Sequence, residues 1–246
     1  MNTTPRLCVA VLALSCIALG AAAPSAFSAR SGSAEFTRLR MHLEVDLPNA
    51  PQLPLAEPQA VDLLDLPAEI VLEAISERPL RVLRVVSPGG STVLGLGYSR
   101  GAGLAGSEIS METEGKSLRE VLARYPVGTY KVHGLTWDGD SISGSVELSA
   151  HFPGQFTAGF EGKPRTVQIQ SAELSWSPSR LAESYQLEIE SESLNAEFSV
   201  RLPASATSFL IPVQLLAPDA TYEYSLSVKG DTDNELEVEG SFTTAP

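Results

Sequence analysis

The feature that most constrains this chain is an alternation of apolar and polar residues that runs through its last third. Val167 and Ile169 come first, then Leu174 and Trp176, then Tyr185, Leu187 and Ile189. Phe198, Val200 and Leu202 follow, then Phe209 and Ile211, then Tyr222, Tyr224, Leu226 and Val228, and last Leu236, Val238 and Phe242. A period of two places every apolar side chain of a run on one face, which suits a half-buried strand and no helix. Short runs spaced by roughly 8–15 residues, with Pro, Gly and Asp between them, predict two sheets packed face to face. Residues 164–246 are therefore expected to form a β-sandwich.

The same pattern recurs upstream with less regularity. Ile70, Leu72 and Ala74 alternate with Glu69, Val71 and Glu73. Leu80 to Val86 and Thr92 to Leu96 read as strands joined through Gly89-Gly90, and Ile109, Met111 and Thr113 alternate with acids and serine. One short helix is expected after Ser117, a capping residue with Glu120 three positions on, and Pro126 ends it. Gly128 to Trp137 and Ser141 to Leu148 then read as a hairpin turning at Asp138-Gly139. Residues 67–153 are expected to be a first sandwich and residues 151–164, rich in Gly, Pro and Phe, a junction. Prolines 48, 51, 54, 58 and 67 make residues 24–66 read as a proline-rich arm, because proline blocks helices and central strands. The alternation of Met41, Leu43 and Val45 leaves room there for one strand.

The final third resembles a fibronectin type III domain. Leu174-Ser175-Trp176-Ser177-Pro178 looks like the family's second strand with its core tryptophan, and Tyr185 to Ile189 like the third. Leu216-Ala217-Pro218-Asp219-Ala220-Thr221-Tyr222 looks like its tyrosine corner, with Asp219 where the family usually carries Gly, and Ser241 to Thr244 like its last strand. The resemblance implies a buried Tyr222 ring whose hydroxyl bonds back to the backbone. It implies no activity, and Arg-Gly-Asp is absent from the sequence. Pro126-Val127-Gly128-Thr129-Tyr130 repeats the corner's Pro, Thr and Tyr, so Tyr130 is expected in the same role. The fold class expected is all-β: two tandem immunoglobulin-like, fibronectin type III-like sandwiches, with one short helix at the corner of the first. The stretch from Tyr125 to Pro153 is also similar to a group of exported bacterial proteins of unknown function.

Arg6 is the only charge in the first 29 residues, and an apolar run from Leu7 to Ala23 ends in small residues. That is the layout of a secretory signal peptide over 1–23, and the run is barely long enough to span a bilayer. Leu14-Ser15-Cys16 ends in a cysteine, but the apolar run continues past it, unlike a lipidation signal. An exported protein, periplasmic or extracellular, is expected, with no membrane span after cleavage. Both cysteines, Cys8 and Cys16, would leave with the signal, so no disulfide is expected.

Acids outnumber bases 30 to 17 in 246 residues, for a net charge of −13. That balance excludes a general nucleic-acid binder. The excess is concentrated: residues 164–246 hold 13 acids and 4 bases, against 17 and 12 in residues 30–163. Glu188, Glu190, Glu223, Glu237 and Glu239 share the outward phase of their strands. They read as a solvated face, or as a surface for a basic partner or divalent cations.

Three motifs stand in contexts that do not suit the chemistry they suggest. Gly97-Tyr98-Ser99-Arg100-Gly101 fits the serine-hydrolase pattern, which needs a strand-to-helix elbow, whereas a Gly-rich loop and a strand follow here. His133 or His151 would have to serve as its base and Asp138 or Asp140 as orienter. Gly101 to Gly106 fits a dinucleotide motif but lacks the helix that would receive a pyrophosphate. Asp231-Thr232-Asp233-Asn234-Glu235 offers alternating oxygens, but Leu236 stands where a calcium loop needs Gly. Histidines 42, 133 and 151 show no ligand-like spacing. No catalytic, cofactor or metal residues are expected. The expectation is an exported non-catalytic binding or structural module with a protein or polysaccharide partner, whose candidate surface includes Tyr98, Arg100, His133 and Trp137 besides the glutamates. The alternatives are a secreted hydrolase using Ser99, or an accessory module of a secreted enzyme.

Overall fold

The structure is a computed structural model and describes residues 34–48, 61–97, 108–160, 166–191 and 194–246. It is all-β with one α-helix among those residues. The first half contributes β1 (Phe36–Leu47), β2 (Ala68–Ser76), β3 (Leu80–Val86), β4 (Thr92–Gly97), β5 (Glu108–Gly115), α1 (Leu118–Arg124), β6 (Gly128–Thr136) and β7 (Ser141–Leu148). The second contributes β8 (Ala158–Phe160), β9 (Thr166–Val167), β10 (Glu173–Trp176), β11 (Ser184–Ser191), β12 (Ala196–Pro203), β13 (Ser208–Leu210), β14 (Thr221–Lys229) and β15 (Glu235–Thr244).

Each half is a sandwich, and the two share one strand plan. In the second, β13-β10-β8 faces β12-β11-β14-β15; in the first, β5-β2-β1 faces β4-β3-β6-β7. Taken in chain order, β1 to β7 match β8 and β10 to β15 one for one. Both halves are immunoglobulin-like, fibronectin type III-like sandwiches, and α1 sits at the corner of the first. The layers meet through apolar side chains. In the second half Trp176 of β10 lies against Tyr185 of β11 with ring centroids 5.5 Å apart, and Phe160 of β8 against Phe242 of β15 at 4.5 Å. In the first half Gly144 of β7 lets β1 approach closely, since a Cβ there would meet Leu39 Cδ2 at 3.0 Å.

The two sandwiches are joined edge to edge. β1 pairs antiparallel with β2 and also parallel with β15, from Glu44 opposite Glu235 to Leu47 opposite Val238. One eight-stranded sheet, ordered β12-β11-β14-β15-β1-β2-β5 with β9 beside β15, therefore runs through both halves. The pairing covers two strand edges that would otherwise be open to other chains. The buried side chains of both halves form one continuous core.

One segment takes up the strand that the alternation of Met41, Leu43 and Val45 left room for, and two others differ from the sequence reading. Within the expected arm, residues 36–47 form the longest strand, because the prolines lie outside it and its apolar side chains Met41, Leu43, Val45 and Leu47 are buried. Residues 158–160, read as junction, form β8, whose neighbour Phe156 packs edge-on against Tyr185 at 6.0 Å. The expected strand around Val167 and Ile169 is shortened to two residues and passes into a 3₁₀ turn at Ile169–Ser171.

Both tyrosine corners form. Tyr222 is buried, accepts a hydrogen bond from the Ala217 amide at 2.8 Å and donates to the Leu215 carbonyl at 3.3 Å. Asp219 has φ 54°, the left-handed conformation for which Gly is usual and which Asp tolerates. Tyr130 donates to the Pro126 carbonyl at 2.9 Å, and burial, then the nearby Tyr125, pushes its hydroxyl up to about 12. Ser117 caps α1 by accepting from the Glu120 amide at 3.3 Å, while Glu120 reaches back to the Lys116 amide at 3.2 Å.

Candidate functional site

Joining the sandwiches places the outward residues of both on one sheet face. Strand alternation buries Leu43, Val45, Ile70, Leu72, Leu236 and Val238 on the inner face, so their neighbours in sequence stand on the other. The registers then give rungs that cross the seam. One rung reads Lys229, Glu235, Glu44, Glu69, Glu114 across β14, β15, β1, β2 and β5. The next reads Gln186, Ser227, Glu237, Asp46 across β11, β14, β15 and β1. Beyond it lie Glu188, Ser225 and Glu239, then Glu190 opposite Glu223. Like charges directly opposite one another repel, and the sheet responds by holding protons and recruiting cations.

Burial, then the hydrogen bond to Glu44 and its charge, pushes the Glu69 carboxyl up to about 8. Burial also pushes Glu237 up to about 7; the Ser225 hydroxyl donating to it works the other way, and Glu239, Asp46 and Glu44 add to the rise. For Glu44 burial acts upward, but hydrogen bonds with His42 and Glu69 outweigh it and the carboxyl lies below its ordinary range. Lys229 Nζ is 2.6 Å from Glu235 Oε1. Arg40 pairs with Asp233, which raises the guanidinium and, against the effect of burial, lowers the carboxyl.

The β14–β15 turn fastens this face to the rest of the chain. Asn234 is fully buried; its Oδ1 accepts from the Leu43 amide at 2.9 Å, and its Nδ2 donates to the carbonyls of Ser149 at 3.0 Å and His151 at 2.9 Å. Thr232 donates to the same His151 carbonyl at 2.7 Å. The acidic loop 231–235 thus has its Asn, Thr and one Asp engaged in holding β1 and the connection between the sandwiches.

Of the residues singled out from the sequence, Glu188, Glu190, Glu237 and Glu239 come together on this face, with Glu188 and Glu190 exposed. His133 and Trp137 do not join them: His133 is an exposed residue of β6 opposite Arg84 in the four-stranded sheet, and Trp137 is half-buried in the turn between β6 and β7. Tyr98, Ser99 and Arg100 lie outside the described residues, as do residues 101–106. Sequence reasoning missed Glu44 and Asp46 as members of the face. Their signal was the run Arg40-x-His42-x-Glu44-x-Asp46, whose polar phase is as regular as its apolar one.

No protein-family model matches the chain, and no curated protein matches it. Solved structures similar to it include a tetra-tandem repeat from the extending region of a large adhesion protein, at 16% identity over 83% of this chain and 49% of that one, with a TM-score of 0.30. The chain thus spans about half the length of that structure. A two-domain fibronectin type III segment of chicken tenascin is 16% identical over 79% of this chain and 98% of that one, TM-score 0.29. The first three fibronectin type III domains of chicken CNTN1 are 11% identical over 74% and 78%, TM-score 0.33.

Proposed function

We propose that this protein is an exported, non-catalytic binding module whose rigid double sandwich presents a carboxylate face to a basic partner. The observation that carries the reading is the continuity of the acidic rungs across the β1–β15 seam, where Glu235, Glu44, Glu69 and Glu114 stand side by side. Carboxylates set at strand spacing on a fixed surface complement a cationic stretch of protein, and a field of one sign speeds encounter. Export rests on the basic start, apolar run and small-residue exit of residues 1–23. A polysaccharide partner would instead need aromatic platforms, and the carboxylate face offers none among its described rungs.

Binding of a fluorescent oligolysine peptide, followed by anisotropy with a chelator present, tests this. The affinity is expected to fall at least tenfold between 50 and 300 mM salt and to weaken in the Glu188→Gln, Glu190→Gln, Glu239→Gln triple variant. Salt-insensitive binding, or equal binding by the triple variant, would contradict it. Labelling of Ser99 by a fluorophosphonate probe would replace it with the hydrolase reading.

A further inference from the structure

The β1–β15 pairing also assembles a mixed nitrogen and oxygen cluster. One donor atom each from His42, Glu44 and Glu235 lies within 4.8 Å of the other two. His42 and Glu44 are two apart on β1 and so share a face; Glu235 is the residue opposite Glu44 on β15. His42 is only 5% exposed, and its Nε2 lies 3.0 Å from Glu44 Oε1. Its Nδ1 is buried and bonded to nothing. A buried imidazole with an idle nitrogen is uncommon, because such groups almost always find a partner. Its one polar tie is to a carboxylate of the cluster, so an ion held by both replaces that tie.

We infer that His42, Glu44 and Glu235 form a site for a divalent transition-metal ion of the zinc class, bridging the two sandwiches at their seam. Three protein donors with water in a fourth position is a usual zinc arrangement, and bonds of about 2.0–2.2 Å place ligand atoms roughly 3.5 Å apart, within reach of this cluster by small side-chain rotations. The imidazole nitrogen selects zinc-like ions over calcium, which takes six to eight oxygens. Neighbouring Asp46, one rung along β1, adds negative charge. Lys229 is the resident counter-charge of Glu235, and the ion takes its place. The site shares Glu44 and Glu235 with the carboxylate face proposed above but does not depend on that face binding a partner, since the oligolysine test is read with metal removed.

The test uses the full chain stripped with a chelator and then titrated with zinc sulfate alone, by calorimetry and thermal melting. One zinc per chain is expected, with a melting temperature raised by several degrees at saturation, since an ion bound only by the native state stabilises it. Glu235→Gln and His42→Gln are each expected to weaken binding at least tenfold, Lys229→Gln to tighten it, and Glu188→Gln, on the same face, to leave it unchanged. Should His42→Gln fail to fold, Glu235→Gln and Lys229→Gln decide the matter alone. No saturable binding, equal binding by Glu235→Gln, or an equal effect of calcium would overturn the site.

Discussion

The two sandwiches follow one strand plan and fill it with different chemistry. The second is built on rings: Trp176, Tyr185, Tyr222 and Phe242 are buried, with Tyr222 stacked on Phe242 at 5.2 Å. The first is chiefly aliphatic, with Leu43, Ile70, Leu72, Leu80, Leu83 and Leu148 buried, and its buried tyrosines, Tyr125 and Tyr130, lie at its corner. Its opening strand has 12 residues against 3 for the counterpart β8, and the extra length is what reaches β15. The difference teaches that strand order specifies a sandwich, whereas the length of one edge strand decides whether two sandwiches become one sheet.

Because the core is continuous, that comparison breaks if the halves unfold separately. Trp176→Ala and Leu72→Ala should each cost about 3–5 kcal/mol. Either change should lower a single unfolding transition seen alike by near-ultraviolet circular dichroism and by tryptophan fluorescence. Two resolved transitions would mean the halves are independent.

Asn234→Ala comes next. It leaves the Leu43 amide and the Ser149 carbonyl without their partner, while the His151 carbonyl keeps Thr232, and a buried polar group left unpaired costs about 1–3 kcal/mol. A loss of roughly 2–4 kcal/mol is expected in urea melts. Substitution of the exposed Asp231, in the same turn, should stay within about 0.5 kcal/mol.

The tyrosine corners sharpen the comparison further. Tyr222→Phe strands the Ala217 amide as well as the Leu215 carbonyl, whereas Tyr130→Phe strands only the Pro126 carbonyl. Chemical denaturation should show a loss of about 1–2 kcal/mol for the first and a smaller one for the second.

The smallest effect concerns pH. In the fold Glu69 keeps its proton to about pH 8 and Glu237 to about 7, against an ordinary value of 4.5. Between those values the folded protein binds more protons than the unfolded chain, so stability falls as pH rises from about 5 to 8. Glu44 and Asp233 are shifted downward and act in the opposite sense, but only below their ordinary values of 4.5 and 3.8. With a chelator present, the melting temperature should be a few degrees higher at pH 5.5 than at pH 8, and Glu69→Gln should remove part of the difference.

Most of the second sandwich was legible in the sequence because its aromatic alternation is strong and its turns carry Pro, Gly or Asp. The corner helix was legible from Ser117 and Glu120. β1 was obscured by prolines that flank it, although Met41, Leu43 and Val45 carried the period, and β8 by the Gly and Pro around three residues. The candidate face was half legible: outward glutamates of single strands can be read, but not which strands become neighbours. Glu44 and Glu235 are brought together only by a parallel pairing between segments almost the whole described chain apart. His42 and Glu44 showed the right spacing for one strand face, and nothing local announced their third member.

Hydrogen exchange read by mass spectrometry on the segment 36–47 tests the central claim, that β1 is a shared strand of both sandwiches. Its amides are expected to exchange as slowly as those at the centre of β14, and Asn234→Ala is expected to speed β1 and β15 together. Exchange of residues 36–47 at the rate of an open linker, with β14 still protected, would contradict it.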